Sequence, residues 1–173
     1  ASAGCSPDRF VYVSLGGPQL EDQRLMHSRL GFENLVSLEE DEMVYERQLF
    51  NLRPSFIDCR NQSTGDFIRD FDLFIEDYSE NRLIIWLDYS ISKNRRVQIV
   101  EYETLLKKLY PGDILKITIN ANPKTLGGRM KRERREETQE RRLQVLKSQL
   151  SDYLPTSVEP SQMVSKDLPL VLC

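Results

Sequence analysis

An alternation governs what this chain can become: short β-rich runs, each followed by a longer stretch with helical spacing. Phe10-Val11-Tyr12-Val13-Ser14-Leu15 is the first run, and it ends at Gly16-Gly17-Pro18. Leu20 to Leu30 then reads as a helix with Gly31 as its stop. Leu35-Val36-Ser37-Leu38 ends in the acids Glu39-Glu40-Asp41-Glu42, which suit the positive end of a helix over Glu42 to Leu52; Pro54 blocks its continuation. The third run is Ser55 to Cys59, followed by polar Arg60-Asn61-Gln62-Ser63-Thr64 and a helix over Gly65 to Phe74. Leu83-Ile84-Ile85-Trp86-Leu87 is almost continuously apolar, as a strand covered on both faces should be, and stops at Asp88-Tyr89. Ile99, Tyr102, Leu106 and Leu109 form a helical stripe, and Tyr110-Pro111-Gly112-Asp113 turns the chain into a fifth run, Ile114 to Ile119.

Strand–helix repeats of this kind close through right-handed crossovers, which predicts a doubly wound, mostly parallel α/β sheet with helices on both faces. One domain over 1–173 suffices: a core at 9–123, a charged helical segment at 124–154, and a loop and strand at 155–173. Pro169 to Cys173 reads as a further strand, so the sheet is expected to be cut short at its C-terminal strands. Ligands of such sheets bind beyond the carboxyl ends of the strands. The residues there are Gly16-Gly17, Glu39-Glu40, Arg60-Asn61-Gln62, Asp88-Tyr89 and Asn120-Ala121-Asn122.

Composition narrows the partners. The net charge is -3, so there is no global pull toward nucleic acid or anionic lipid. No apolar run approaches the roughly 20 residues that span a bilayer, and the N-terminus lacks a signal-peptide layout; the expected location is cytoplasmic, without membrane attachment. Cys5, Cys59 and Cys173 form no CxxC pair, and Cys59 reads as a small core hydrophobe. His27, the single histidine, reads as a packed or surface residue of a helix rather than a base, and no metal site is expected. Residues 128–142 hold seven basic and four acidic side chains, a local charge of +3; a solvated helix is the expectation, with nucleic-acid contact as the alternative use.

Tyr12-Val13-Ser14-Leu15-Gly16-Gly17, then Asp22 and Leu25-Met26-His27, resembles the opening of class I S-adenosylmethionine-dependent methyltransferase-like domains of bacteria and phages. Val36-Ser37-Leu38-Glu39 resembles the end of that family's second strand, Ile84-Ile85-Trp86-Leu87-Asp88-Tyr89 its fourth, and Tyr110-Pro111-Gly112-Asp113 its proline–glycine turn. The resemblance covers roughly 9–123 and implies S-adenosylmethionine as cofactor, with a methyl acceptor and an oligomeric state left open. It also implies roles. Ser14, Gly16 and Gly17 would lie beside the methionine part, where glycine lets backbone approach a ligand. Glu39, or its neighbour Glu40, would accept from the ribose hydroxyls. Asn61 or Gln62 would touch the adenine edge. Asp88 would sit near the amino group or the transferred methyl, and Asp88 and Tyr89 would be the catalytic groups.

Two departures open a second reading. Ser14-Leu15-Gly16-Gly17-Pro18 replaces the usual acid and GxGxG-like loop, and Leu87-Asp88-Tyr89-Ser90 stands where amine methylation would call for Asn-Pro-Pro-Tyr. The alternative function is therefore a catalytically inactive methyltransferase-like scaffold that contacts nucleic acid. A nicotinamide-dependent dehydrogenase ranks last, because the chain has no clean GxGxxG.

Overall fold

A computed structural model of the chain describes residues 6–51, 55–92 and 94–172. Cys5, Leu52, Pro54 and Cys173, each used in the sequence reading, lie outside the described residues. The chain resolves into two compact units, Ala1–Asp88 with Glu101–Thr118 and Tyr89–Val100 with Ile119–Cys173.

The first unit holds five strands, β1 (Phe10–Leu15), β2 (Asn34–Glu39), β3 (Ile57–Asn61), β4 (Arg82–Asp88) and β5 (Ile114–Thr118). Their order is β3-β2-β1-β4-β5 and every pairing is parallel. The expected Rossmann-like α/β sheet is therefore the sheet observed. Alternation along the strands assigns the two faces. Tyr12, Leu35, Ile57 and Cys59 form one buried cluster with Leu20 and Phe32, beneath α1 (Glu21–Leu30) and α2 (Glu42–Phe50). Val11, Val13, Val36, Leu38, Leu83, Ile85 and Leu87 point the other way and are all buried. On that side α3 (Thr64–Arg69) and α4 (Phe71–Asp77) supply Phe67, Phe71 and Phe74. Those rings pack edge-to-face at 5.0 and 5.5 Å around Phe67. Cys59 is buried, and His27 is packed: its Nδ1 lies 2.7 Å from the Phe32 carbonyl and its ring stacks on Phe56 at 3.8 Å.

Three elements differ from the sequence reading. Strand β3 runs two residues later than expected, so Arg60 and Asn61 belong to it rather than to a loop. As an edge strand it buries only Ile57 and Cys59, while Asp58 and Arg60 pair with each other at 2.7 Å on the opposite side. The single helix expected over Gly65 to Phe74 is broken at Asp70 (φ -94, ψ 13), which ends α3 and starts α4. The stripe expected on α5 (Arg95–Leu106) is rotated by about one residue: Leu105 is fully buried, Leu106 is half-exposed, and Leu109 lies past the helix end. Its inner face begins with two polar residues, Arg95 and Gln98, which no hydropathy pattern would select.

The second unit packs around Leu126, Leu143, Leu146, Leu150, Val158, Met163 and Leu168, on α6 (Arg135–Leu150) and the turns after it. Leu143, Leu146 and Leu150 stand at helical spacing on one buried face of the segment expected to be helical. The strand expected at Pro169 to Cys173 is instead a helical turn, α7 (Leu168–Val171), because Leu168, Val171 and Leu172 meet the core at helical spacing. Arg95 is fully buried in this unit. Its five N–H groups reach the Ser92 carbonyl, Gln149 Oε1, Thr125 Oγ1 and, twice, the Asn120 carbonyl, at 2.6–3.1 Å. Every partner is neutral, so burial holds this guanidinium below its ordinary pKa. No helix of the described residues is long and apolar enough to cross a membrane.

The turn after β1 is held by close approach. A Cβ on Gly16 would collide with Ser37 Oγ and lie 2.8 Å from Gln48 Nε2, whereas one on Gly17 would meet nothing within 4 Å. Gly16→Ala should therefore cost about 1–3 kcal/mol in urea denaturation, as overpacking does. Gly17→Ala should leave the midpoint unchanged or slightly raised.

Candidate functional site

The parallel register brings the strand ends into line. Leu15 faces Leu38 across β1–β2, and the Gly16 N–H donates to the Leu38 carbonyl at 3.0 Å. Glu39 faces Asn61 on β3. Ser14 faces Trp86 on β4, so Asp88, two residues on, comes to the level of Gly16. Gly16, Glu39, Asn61 and Asp88 thus form one row across four strands, spaced by roughly 4.8 Å per strand. Gly17, Glu40 and Gln62 lie one step beyond it. Tyr89 follows Asp88 directly, is half-buried, and belongs to the second unit.

Local contacts fix each member. Gln48, buried on α2, donates its Nε2 to the carbonyls of Gly16 at 2.8 Å and Gly17 at 3.3 Å. Asn51 donates to the Pro18 carbonyl at 2.9 Å. The turn ends in Leu20, buried and left-handed at φ 54, an unusual conformation for a branched residue. On β2, Glu39 Oε1 accepts from the Asp41 N–H at 2.9 Å, and Asp41 in turn caps α2 by accepting from Met43 and Val44. Burial raises the Glu39 pKa, opposed by the Asp41 N–H. Asn61 and Glu40 are exposed, and Gln62 donates to Asp70 at 3.4 Å.

Around β1 and α1 lies a polar group that sequence reasoning did not assemble. Ser14 is fully buried and accepts from Gln23 Nε2 at 2.7 Å. Tyr12, on the same face, is 2 % exposed, and neither its hydroxyl nor Gln23 Oε1 has a hydrogen-bond partner. Burial pushes the Tyr12 phenol up to about 12; the nearby Ser14 hydroxyl opposes this, and Asp22 and Asp88 add to it. Asp22, in the first turn of α1, has its pKa raised by burial, then by Asp88 and Glu21, with Lys116 opposing. Asp22 and Asp88 are therefore neighbours at the junction of β1 and β4, where the strand order reverses. Lys116 on β5 lies 3.5 Å over the ring of Trp86, whose Nε1 donates to Thr118 at 2.9 Å. Asp22 stood inside the opening segment of the sequence, but an acid in a first helical turn usually reads as a dipole partner. Gln23 and Tyr12 carried no signal, being single polar atoms within an apolar pattern.

A parallel sheet of order β3-β2-β1-β4-β5, with a glycine turn after β1 and acids as the last residues of β2 and β4, is a Rossmann-like α/β fold whose order reverses between β1 and β4. Within that class the chain belongs to the family described as "Putative O-methyltransferase", whose model matches residues 2–173. It is a methyltransferase by family, and its acceptor is not specified. No curated protein and no solved structure matches it.

Tyr12→Phe removes an unmade hydrogen bond and should leave stability at neutral pH unchanged or raised by up to about 1 kcal/mol. A phenol raised in the folded state adds stability below its unfolded pKa near 10 and loses it as pH climbs through about 12. The alkaline unfolding midpoint of Tyr12→Phe, followed by circular dichroism, should therefore move up. Ser14→Ala should cost about 1–3 kcal/mol by stranding Gln23 Nε2.

Proposed function

We propose that the chain transfers the methyl group of S-adenosylmethionine to an acceptor oxygen, with the cofactor lying along the carboxyl ends of β1, β2 and β4. The observation that carries this reading is the single row of Gly16, Glu39, Asn61 and Asp88 produced by the parallel register. The residues present fit the group. Space is open over Gly17, so backbone can meet ligand without an intervening side chain. Glu39, steadied by the Asp41 N–H, would accept from the ribose hydroxyls, with exposed Glu40 beside it. Asn61 and Gln62 would serve the adenine edge. The Asp22–Asp88 pair offers concentrated negative charge to a ligand that carries an ammonium and a sulfonium. Ser14 supports the turn from beneath, through Gln23.

When bound, the cofactor supplies a methyl group on a positively charged sulfur, displaced in line by the acceptor oxygen. What the protein adds is proximity, orientation and a route for the acceptor's proton. Asp88 is assigned that proton and Tyr89 the orientation of the acceptor.

Calorimetric titration with S-adenosylhomocysteine tests the reading. The wild type should bind, Glu39→Ala should lose at least about tenfold as a charge-assisted contact disappears, and Gly17→Val should fold normally yet fail to bind. Because a cationic ligand favours ionised Asp22, binding should release protons and strengthen as pH rises through the carboxylate range, then level off above it. An absence of heat with the folded wild type would end this reading.

A further inference from the structure

Charge is divided unevenly between the two units. Tyr89–Val100 with Ile119–Cys173 contains thirteen Lys or Arg and seven Asp or Glu, a net of +6, which leaves -9 on the sheet-bearing unit for a chain total of -3. Such asymmetry within one chain is a signature of nucleic-acid or membrane contact. Three of the thirteen cations are spent on ion pairs: Arg96 with Asp152, Arg134 with Glu137 and Arg141 with Glu133. Arg95 and Arg142 are turned inward onto neutral oxygens. Lys131, Arg132 and Arg135 are exposed at the head of α6 and carry no ion pair among the described residues.

The turn that presents them is built. Glu133 sits beneath it, accepting from Arg141 at 2.9 and 3.0 Å, from the Met130 N–H at 2.8 Å and from Thr138 at 2.9 Å. Arg141 also donates to the Gly128 carbonyl at 2.8 Å, and Arg129 to the Glu133 carbonyl at 2.8 Å. Those bonds, the Arg141 pairing first, lower the Glu133 pKa to about 2, so the brace stays ionised throughout the physiological range. At the tip Arg132 is held at φ 74, a left-handed conformation uncommon for any residue but glycine. Of the nearby acids, Glu137 holds Arg134 and Glu140 accepts from Gln144 at 3.0 Å, while Glu136 is exposed next to Arg135.

We propose that Lys131, Arg132 and Arg135, presented by the Glu133-braced turn, form a phosphate-contacting surface, and that the methyl acceptor is RNA. The acceptor part rests on the proposed methyl transfer. The family's description names oxygen as the acceptor atom, and the ribose 2′-hydroxyl is the oxygen nucleophile that RNA offers along its length and DNA lacks. A membrane is the poorer match, since Met130 is the one large apolar side chain exposed on the turn and interfacial insertion needs a broad apolar face.

The test uses the full chain and a labelled single-stranded RNA of about 20 nucleotides, its DNA counterpart and vesicles rich in anionic lipid. RNA should bind with steep salt dependence. Lys131→Gln/Arg132→Gln/Arg135→Gln should reduce the log–log salt slope by about 2 and weaken binding at least tenfold, with the melting temperature and S-adenosylhomocysteine titration unchanged. Labelled methyl should pass from S-adenosylmethionine to RNA and not to DNA. RNA binding that the triple variant leaves intact, no RNA binding at all, or a preference for vesicles overturns the surface. Equal methylation of DNA, or none of RNA with cofactor binding intact, overturns the acceptor. RNA binding without cofactor binding would instead overturn the methyl-transfer reading and leave the surface standing.

Discussion

The side-chain amide of Gln48 is the contact on which the first unit's arrangement turns. It reaches from α2 across to the carbonyls of Gly16 and Gly17, the point where β1 gives way to α1. That reach requires the backbone at residue 16 to pass so close to Ser37 and Gln48 that no side chain fits between. One glycine thereby couples three elements: the strand it ends, the neighbouring strand and the second helix. The next glycine faces open space. A Gly-Gly pair in the sequence thus divides into one residue that serves packing and one that leaves room for something else.

Much of this was legible beforehand, and the reasons are specific. β1 and β2 are buried on both faces and β4 is apolar from Leu83 to Leu87, so their runs announce themselves; Gly31, left-handed at φ 74, stops α1 where its lack of a Cβ predicts. β3 was misplaced because an edge strand needs only alternate burial, and Asp58 and Arg60 satisfy each other there. α5 was read one residue out of phase because its buried face opens with a guanidinium and an amide. The C-terminal Leu-Pro-Leu-Val-Leu run suits strand or helix equally by composition, and only the hydrophobic core of the second unit decides between them.

The candidate site divides in the same way. Gly16, Glu39, Asn61 and Asp88 were found because strand ends are places, and a place can be inferred from topology. Asp22 was not assigned, because its importance lies in its proximity to Asp88 across the β1–β4 junction, a relation between residues far apart in sequence. Nor does a sequence reveal that Tyr12 and Gln23 each leave a polar atom unpaired while almost wholly buried.

Arg95 has a consequence for the order in which the molecule is made. Its segment leaves the ribosome before β5, while its acceptors Asn120, Thr125 and Gln149 come 25, 30 and 54 residues later. Until they have emerged, the Ser92 carbonyl is the one of its acceptors at hand, and dehydrating the guanidinium would cost several kcal/mol that a single neutral bond does not offset. The Tyr89–Val100 stretch must therefore wait, hydrated and unplaced, while the strands on either side of it can already pair. Synthesis thus favours an order of assembly, the sheet ahead of the helical unit, whose core is complete only when Leu168 has emerged.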